Sequence, residues 1–572
     1  MANDYYVRGK NSAAPFTLKI HRGEGMCLLA MNWRTGEPPR DFVGFAIEYQ
    51  EPDSDRFFPV KNRLCFKGKE LPANADGSAA QYPSTEAPIQ KFRWVHFPRF
   101  ANLEGDFTYR VTPIFMGADK TLSKGEVQEA KLALWRETYP GIANITFTRG
   151  FVSSQAFVDR YAKTGAFSTL IPPDGEHGLE FTPSHPKSEE ALAWMGFEAR
   201  ERIHTLLDDA LADQANVAMI AYELNLPELV DKLVQFGARL RIIIDDSGTG
   251  DKDKGRPGSP ESKATARLQA SGAQVLRQHM GKLQHNKVII VDGPNVKAVI
   301  YGSTNFSWRG FYVQANNAVV LSGAAVVTQA LDAFGGYFTS ASNFRSSAAA
   351  NWRPLSLSGI NASINMSPHS TSNAVQAHLA ADIGSAKSSV LYSLAFLHQT
   401  PGAVTDAIAA ATNNDEIFVY GISDKATGIV VQKPDGNLKP VYVAALDKNV
   451  PEPFKSETKG GGGNRMHHKF IVVDFNTPSA RVYTGSYNFS FAADEMNGEN
   501  LILFKNRRIA TAYMIESLRL VDHYHFRASR AEAKAKQEPM NLKDAPMQAN
   551  HFPWWQRYYA APLKMRDRML FA

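Results

Sequence analysis

Cysteine is scarce in this chain: only Cys27 and Cys65 occur among 572 residues. The two could pair with each other, but so few thiols exclude a fold built on disulfides and a cysteine-rich zinc site. Long apolar runs are also missing, because no stretch approaches the ~18 residues that a membrane-spanning helix needs. The opening residues, MANDYYVRGKNSAAPF, contain no apolar segment after their charges, so no signal peptide is predicted. We therefore expect a soluble, cytoplasmic protein.

The composition is that of a globular protein with a substantial core. Apolar residues make up 44% of the chain and charged residues 21%, and the length favours several domains. A net charge of +6 is by itself weak evidence for an anionic partner. The positive charge is concentrated near the end, where residues 505–572 contain 13 Lys and Arg against 6 Asp and Glu. A solvated helix face explains such a segment as well as a binding surface does.

Residues 1–137 have the alternation and the aromatic content of β-strands. Clear examples are FVGFAIEY at 42–49, KFRWVHF at 91–97 and DFTYRVTPIF at 106–115, separated by clusters of Gly, Pro and Asp. The pattern predicts an antiparallel β-sandwich. It resembles fibronectin or immunoglobulin domains at the level of pattern only, and it assigns this domain no catalytic role and no partner.

From residue 138 onward the pattern changes to alternating helices and strands, which is typical of an α/β fold. NVAMIAYEL and ARLRIIIDD are predicted strands, and LPELVDKLVQFG between them is a predicted helix that ends at Gly237. The stretch GTGDKDKGRPGSPESK at 248–263 is rich in charge, glycine and proline, and it is predicted to be a loop.

Several motifs in this α/β region occur twice in the same order. HNKVIIVD at 285–292 returns as HHKFIVVD at 467–474, an offset of 182, and GSTNFS at 302–307 returns as GSYNFS with an offset of 183. Such a repeat predicts a duplicated domain, with a first half at 138–350 and a second at 351–572. The Ser- and Ala-rich stretch TSASNFRSSAAANW is the predicted joint between the two halves.

The polar residues in front of each apolar strand form a repeated arrangement. Side chains alternate along a strand, so His285 and Lys287 are expected on one face and the residue between them on the other. In the second copy His467 and Lys469 share a face, and His468 is predicted to pack on the opposite side. Each half therefore presents one histidine and one lysine together.

Further motif residues accompany each pair. Asp292 and Asp474 lie five positions after the lysines, and we include them in the catalytic set as groups that orient and tune the reactive side chains. The GSxN segments come where a returning strand ends, which should bring their polar side chains close to the histidines. These side chains are Ser303, Asn305, Ser486 and Asn488.

Two histidines, two lysines and asparagine amides together suit phosphoryl chemistry. One histidine can attack phosphorus while the other protonates the leaving group. Ammonium groups and amides can stabilise the charge on phosphoryl oxygens. This set needs no metal and no cofactor, so we expect neither. The predicted reaction is the cleavage of a phosphodiester through a phosphohistidine.

HxKxxxxD followed by GSxN, twice in one chain, resembles the phospholipase D superfamily, and the resemblance covers residues 181 to about 505. It implies two α/β halves related by a pseudo-twofold axis, with the active site at their interface, so that a monomer suffices for one site. In that family one histidine forms the covalent intermediate and the other acts as acid and then as base. By this similarity we assign His285 as the nucleophile and His467 as the acid, an order that the symmetry of the motifs cannot decide.

The two copies differ where NNAVVL aligns with ENLILF. Glu499 occupies a position where the family often carries an acid, and the equivalent residue of the first copy is Asn316. A carboxylate beside one histidine would raise the pKa of that imidazole, whereas an amide would not. The two histidines would then hold different protonation states, as acid–base catalysis requires. Simple divergence between the copies is the alternative explanation.

Members of this superfamily act on nucleic acids, phospholipids or other diesters, and the motifs favour a nucleic-acid substrate. GSTNFS and GSYNFS look more like nuclease-type and general bacterial members than like lipid-synthesising ones, which usually carry membrane spans. The segment HFPWWQRYY at 551–559 suits base stacking and phosphate contacts, but also a membrane interface or a packed C-terminal segment. A phospholipase D acting on phospholipids, by hydrolysis or transphosphatidylation, is the main alternative.

A further alternative of another class is a binding or scaffold protein on a degenerate catalytic fold. A degenerate member would be expected to lose one of the two histidines or two lysines, and this chain keeps all four. We therefore predict an enzyme, a phosphodiesterase whose partner is its phosphodiester substrate.

Overall fold

The computed structural model describes most of the chain, namely residues 5–72, 80–150, 157, 161, 165–248, 250, 253–397, 401–425, 428–433, 438–442, 466–537 and 540–572. The chain divides into two compact units. Unit 1 comprises Met1–Arg136, Thr511–Asp522 and Phe526–Ala572, and unit 2 comprises Glu137–Ala510 and His523–His525. The division into 1–137, 138–350 and 351–572 stays a proposal from the sequence.

Strands and helices are numbered here in chain order. The strands are β1 (Tyr6–Arg8), β2 (Phe16–Arg22), β3 (Cys27–Trp33), β4 (Phe42–Gln50), β5 (Phe57–Pro59), β6 (Lys61–Asn62), β7 (Tyr82–Pro83), β8 (Arg93–His96), β9 (Asp106–Met116), β10 (Leu122–Lys124), β11 (Gln128–Ala133), β12 (Ala143–Phe147), β13 (Asn216–Ala221), β14 (Leu240–Ile244), β15 (Gln274–Arg277), β16 (Lys287–Asp292), β17 (Lys297–Gly302), β18 (Asn317–Ser322), β19 (Arg353–Pro354), β20 (Asn361–Ser367), β21 (Ser389–Leu394), β22 (Phe418–Lys425), β23 (Gly428–Gln432), β24 (Leu438–Tyr442), β25 (Lys469–Val473), β26 (Arg481–Gly485) and β27 (Glu499–Lys505). The α-helices are α1 (Ser188–Ala212), α2 (Pro227–Val234), α3 (Pro260–Ala270), α4 (Ala324–Ser340), α5 (Gln376–Gly384), α6 (Ala403–Thr412), α7 (Phe491–Glu495), α8 (Arg507–Ala535), α9 (Arg557–Ala560) and α10 (Pro562–Phe571).

Unit 1 contains two antiparallel sheets that share one aromatic core. The sheet orders are β1-β2-β3-β8 and β10-β9-β4-β5, and β11 also pairs with β9. Phe16 of β2 packs against Phe45 of β4, with ring centroids 5.1 Å apart, and Trp33 of β3 packs against Phe42 of β4 at the same distance. Side chains of both sheets belong to one buried cluster, as in a β-sandwich. The predicted all-β domain is confirmed.

The aromatic segment near the C-terminus belongs to this core. Trp554, Trp555 and Tyr558 are buried in the same cluster as the strands of the sandwich. The Trp554 ring stacks on Phe92 at 5.3 Å, and its Nε1 donates a hydrogen bond to the carbonyl oxygen of Phe42 at 3.1 Å. The sequence left three roles open for this segment: nucleic-acid contacts, a membrane interface or packing. In the structure the segment is packed. These three rings are not available to stack on nucleic-acid bases.

Unit 2 contains two sheets with a common strand order. The first runs β12-β18-β17-β16-β13-β14-β15, and the second contains the run β20-β27-β26-β25-β21-β22 between β19 at one edge and β23-β24 at the other. β13 pairs with β14 in parallel and with β16 antiparallel, and β21 pairs in the same senses with β22 and β25. Sequence duplication has therefore produced two copies of one mixed α/β fold, as predicted.

The two halves of unit 2 are joined by a pair of equivalent bridges. Gln284 pairs with Gly498, and Ala315 pairs with Met466. The repeat offset maps Gln284 onto Met466 and Ala315 onto Gly498, so each bridge is the symmetry mate of the other. Such reciprocal contacts are those of a twofold interface. They run beside His285 and His467, so the interface and the histidine motifs coincide.

The glycine of each GSxN motif has a backbone conformation that other residues avoid. Gly302 and Gly485 end β17 and β26 with φ angles of 141° and 150°. A Cβ atom on Gly302 would clash with the carbonyl oxygen of Asn317, and one on Gly485 with that of Asn500. Glycine therefore lets the neighbouring strand approach closely at the point where the motif serine follows.

The structure also describes the two cysteines and the apolar character of the helices. Cys27 and Cys65 are both buried and both free, so they do not form a disulfide. Among the described helices, none combines the length and apolar character required to cross a membrane.

Replacing Trp554 by alanine is expected to lower the free energy of unfolding of unit 1 by about 3–5 kcal/mol, because it removes a buried ring and its hydrogen bond. Hydrogen-exchange mass spectrometry of β4 and β8 peptides against urea concentration measures this change within unit 1. Phe552→Ala is the matched control, since Phe552 is 65% exposed. Equal protection in both variants would contradict the packing described here.

Candidate active site

His285 and His467 lie at one place, although 182 residues separate them in the chain. Each stands two residues before the strand of its own motif, β16 or β25. Both side chains are buried, and the centroids of their rings are 6.4 Å apart. Each half of unit 2 thus contributes one imidazole to a shared site.

The lysine of each motif folds back on the histidine of its own half. Lys287 Nζ donates a hydrogen bond to the carbonyl oxygen of His285 at 2.5 Å. Lys469 Nζ lies 2.9 Å from the carbonyl oxygen of His467 and 3.1 Å from its Nε2. Histidine and lysine share a face because they are two residues apart in extended backbone. The site therefore contains two buried amines as well as two imidazoles.

The residues between histidine and lysine point away from this group and serve the interface. Asn286 Oδ1 accepts a hydrogen bond from Asn500 Nδ2 of the other half at 2.9 Å. The His468 ring contacts Phe147 and Phe470 edge-on, with centroid distances of 5.8 and 5.2 Å. His468 thus packs among aromatic rings on the opposite face, where strand alternation had placed it.

Each active-site histidine hydrogen-bonds a side chain that belongs to the other half of unit 2. His285 Nδ1 shares a hydrogen bond of 2.6 Å with Glu499 Oε2, across the interface. His467 Nδ1 donates to Asn316 Oδ1 at 2.8 Å, again across the interface. The amide oxygen of Asn316 can only accept, so the proton of neutral His467 is on Nδ1 and the lone pair is on Nε2. Glu499 imposes the same arrangement on His285 when its carboxyl group is ionised.

The partner groups are themselves held in place. Asn316 Nδ2 donates to the carbonyl oxygen of Gly310 at 2.9 Å, which leaves its Oδ1 directed at His467. Ser303 Oγ donates to the same Oδ1 at 2.9 Å. Glu499 Oε1 accepts from Asn497 Nδ2 at 3.2 Å, and the Ser486 hydroxyl also hydrogen-bonds this carboxyl group. The motif serines therefore orient the histidine partners.

Burial dominates the ionisation of this group. It lowers the pKa of His285 and of His467 well below the usual value, and the charges of Lys287 and Lys469 lower both further. Burial likewise lowers the pKa of Lys287 and raises that of Glu499 to about 8. The net shift of the His285 pKa is downward, because desolvation and the two nearby amines dominate it. That the carboxyl group of Glu499 raises the pKa of its histidine relative to an amide stays a prediction.

The GSxN asparagines carry polar atoms with no partner in the protein. Asn305 Oδ1 and Asn488 Oδ1 are both buried and, within the described residues, neither accepts a hydrogen bond. A buried amide oxygen without a protein partner is satisfied by water or by a bound group. The same atom lacks a protein partner in both halves, so this feature belongs to the repeated motif and not to one side chain.

The structure does not bring the motif aspartates to the site. Asp292 ends β16, five residues and roughly 16 Å of extended strand from Lys287, and it pairs with Lys297 near the surface. Asp474 is buried, and it accepts backbone hydrogen bonds from residues 387–389 in front of β21. The expected tuning role is therefore corrected, because a straight strand separates each carboxylate from its histidine.

Sequence reasoning missed Tyr222, whose ring lies edge-on to His285 with centroids 4.6 Å apart. Lys287 Nζ lies 4.7 Å from the centre of the same ring. The available signal was the predicted strand NVAMIAYEL, since β13 lies next to β16 and Ala221 pairs with Lys287. In the described part of the chain, no three His, Cys, Asp or Glu side chains are grouped as metal ligands would be.

Comparison with known proteins gives matches in both halves. The family model described as "Cardiolipin synthase, PLD-like domain" matches residues 207–337 and 379–519. A phospholipase D of Rickettsia prowazekii is 42% identical over 48 residues, which is 8% of this chain and 22% of that relative. A phospholipase D of Rickettsia bellii is 28% identical over 123 residues, 19% of this chain and 58% of that relative. The matches thus span less than two thirds of these relatives.

Solved structures align as well. The phospholipase D family member Nuc of Salmonella typhimurium is 24% identical and covers 24% of this chain and 86% of its own, with a TM-score of 0.20. Yeast tyrosyl-DNA phosphodiesterase is 11% identical and covers 53% of this chain and 87% of its own, with a TM-score of 0.31. Polyphosphate kinase of Porphyromonas gingivalis is 10% identical and covers 98% of this chain and 82% of its own, with a TM-score of 0.37.

Asp474→Ala is expected to lower the free energy of unfolding of unit 2 by about 3 kcal/mol, because it leaves buried backbone N–H groups without an acceptor. Asp292→Ala is the control and should change it by less than about 0.5 kcal/mol, since its ion pair is partly exposed. Urea titration followed by hydrogen exchange in β21 distinguishes the two. A large loss in the Asp292 variant would contradict these assignments.

Proposed function

The chain belongs to the phospholipase D superfamily, and from this premise we propose that it is a phosphodiesterase that cleaves a P–O bond through a covalent phosphohistidine. The observation that carries the proposal is the convergence of His285 and His467, with ring centroids 6.4 Å apart, from two copies of one motif. A phosphorus atom between two imidazoles can be attacked from one side while its leaving group departs on the other.

In the first step, His285 Nε2 attacks phosphorus and forms an N–P bond. The bond to the leaving oxygen breaks, its electron pair stays on that oxygen, and a proton from His467 Nε2 neutralises it. In the second step, His467 Nε2 removes a proton from water, and the hydroxide formed attacks phosphorus. The N–P bond then breaks, and its electron pair returns to His285. An alcohol in place of water would give transfer instead of hydrolysis.

The unequal partners of the two histidines support this order. Phosphorylation of His285 at Nε2 places positive charge on the ring, and the Glu499 carboxyl group 2.6 Å from Nδ1 can stabilise it. His467 has only the neutral amide of Asn316 at that position, which leaves its protonated form the stronger acid. A carboxylate therefore serves the nucleophile, and an amide serves the acid.

Binding of a phosphodiester also fits the electrostatics of the site. Four basic groups are buried together, and their mutual repulsion, added to burial, lowers the pKa of both imidazoles. A bound phosphodiester anion would offset that repulsion and favour the protonated form of His467. Lys287, Lys469 and the amides of Asn305 and Asn488 are the groups that would contact the non-bridging oxygens.

The proposed substrate class is nucleic acid, on the likeness of GSTNFS and GSYNFS to nuclease-type members. Packing of Trp554 and Trp555 removes the stacking segment that also pointed there. Phospholipid is the second candidate, supported by the lipid enzymes named in the family description and in the curated relatives. A scaffold role is disfavoured by the buried, hydrogen-bonded state of both histidines, which a binding surface does not require.

His285→Ala and His467→Ala should each reduce hydrolysis of a natural diester at least about 10³-fold, because each removes a group that reacts in the transition state. Assays in EDTA should use plasmid DNA, single-stranded DNA and phosphatidylcholine vesicles side by side. Lys263→Met, a partly exposed lysine paired with Glu180, is the control and should keep full activity. Activity that survives both histidine substitutions would refute the proposed site.

Hydrolysis of bis(p-nitrophenyl) phosphate can identify the nucleophilic histidine. Its p-nitrophenolate leaving group departs without protonation, so the first step does not need the acid. In His467→Ala, the first step should proceed and the second should stall, so ³²P-labelled diester should accumulate as one phosphoryl group on His285. Tryptic mapping at alkaline pH locates it, since phosphohistidine is acid-labile. Label on His467 in the His285→Ala variant would reverse the order.

Glu499→Gln should lower kcat by about 10- to 100-fold, because an amide holds the ring of His285 but cannot stabilise its positive charge. The change at the equivalent position of the other half, Asn316→Gln, displaces the amide that pairs with His467 without changing its charge, and it shows the effect of a displaced partner alone. Pre-steady-state release of p-nitrophenol isolates the first step. An unchanged burst rate in Glu499→Gln would contradict the role given to the carboxyl group.

A further inference from the structure

The charged loop at 248–263 has no place in the mechanism above, yet part of it reaches the active site. Its residues 249, 251 and 252 lie outside the described residues. Lys254 is fixed through its carbonyl oxygen, which accepts hydrogen bonds from Arg277 Nη2 at 2.7 Å and from Ser259 Oγ at 2.8 Å. Ser259 also caps α3, since Ser262 N donates to its Oγ at 3.1 Å. The loop thus holds the backbone of Lys254 by several bonds.

The ammonium group of Lys254 lies against Tyr222, with Nζ 3.8 Å from the centre of the ring. Burial lowers the pKa of Lys254, but the tyrosine and the nearby carboxylates outweigh it and hold the pKa above its usual value. The side chain therefore remains charged. The carboxylates that face it are those of Glu223, Asp245 and Glu261.

This cluster touches the His285 segment from two directions. Lys254 Nζ, the His285 ring and Lys287 Nζ all lie within 5 Å of the centre of the Tyr222 ring. Asp245 Oδ1 accepts a hydrogen bond at 2.6 Å from the backbone N–H of Gln284, the residue before His285. Movement of Lys254 would therefore be transmitted to the imidazole by both the ring and the backbone.

Among the described residues, the paired strand positions differ between the two halves. Ala221 pairs with Lys287 in the first half, and Leu394 pairs with Lys469 in the second. The residue after each strand end is therefore Tyr222 in one half and Ala395 in the other. After β22 the chain continues into β23, whereas β14 is followed by the charged loop and α3. The cluster thus distinguishes the surroundings of the two histidines.

We propose that Lys254 is a third lysine of the active site, a positioning residue that holds Tyr222 against His285 and adds its charge to the field at that ring. The inference rests on the phosphodiesterase function proposed above and extends it to one residue. The proposal predicts an effect on the His285 side of the reaction, because Ala395 stands in the second half where Tyr222 stands in the first.

The charge of Lys254 contributes to the low pKa of His285, after burial and the charges of Lys287, Lys469 and His467. Removing it should raise the pKa of His285, so that more of the nucleophile is protonated at acid pH. The acid limb of kcat/KM, which reports the free enzyme, should then move to higher pH. The titratable and charged groups that face this ring are Glu499, Lys287, Lys469, His467, Lys254 and Tyr222.

The test compares Lys254→Met, Lys254→Arg and the control Lys263→Met in the full chain, with bis(p-nitrophenyl) phosphate as substrate. Lys254→Met should lower kcat about tenfold and move the acid limb up by about one pH unit, since one nearby charge is lost. Lys254→Arg should restore both, and Lys263→Met should match the unaltered chain. A Lys254→Met profile that coincides with the unaltered one overturns the proposal.

A second variant covers the case in which Lys254→Met does not fold because it leaves buried carboxylates uncompensated. Tyr222→Phe keeps the ring but removes the hydroxyl that hydrogen-bonds Lys254, and it should shift the acid limb in the same direction by a smaller amount. No shift in that variant also overturns the proposal. An active chain with inactive His285→Ala and unaffected Lys254 variants would refute this inference alone, whereas an inactive unaltered chain would refute the function on which it rests.

Discussion

The hydrogen bond from His285 Nδ1 to Glu499 Oε2 is the interaction on which the site depends, together with its counterpart from His467 to Asn316. A buried imidazole needs a partner for its ring N–H, and leaving that group unpaired in the interior is costly. Each half supplies the partner that the other half needs. Neither half alone can therefore present a correctly oriented histidine, and interface and active site form together.

A second constraint follows from gathering basic groups out of water. Desolvation disfavours every charge in the site, and the two amines disfavour protonation of the two imidazoles. The protein balances this arrangement only in part, through Glu499 and through Glu223, whose carboxyl group the Ser307 hydroxyl contacts. The remaining excess of basic groups suits an anion, so the same electrostatics would favour a bound phosphodiester.

Much of this arrangement could be predicted from the sequence, because it follows from local rules. Two-residue alternation placed His285 beside Lys287 and turned His468 away, and the repeat fixed the duplication of the sheet. Partner exchange could not be predicted, since pairing of Glu499 with the histidine of the other half depends on the geometry of the interface. The net lowering of the pKa of both histidines could not be predicted for a related reason: burial is a property of the assembled fold. The tuning role given to Asp292 and Asp474 was wrong because five residues of straight strand already separate each carboxylate from its lysine by about 16 Å.

Because the two halves are duplicated within one chain, residues on the two sides of the site can be substituted independently. In a symmetric dimer of one half, any substitution would appear twice, and both histidines would always have identical neighbours. Here both halves lie in one chain, so Glu499 can differ from Asn316, and Tyr222 from Ala395, without a penalty at the other ring. Covalent linkage has thus allowed a twofold scaffold to hold an asymmetric site. A substrate with two different ends would bind such a site in one direction.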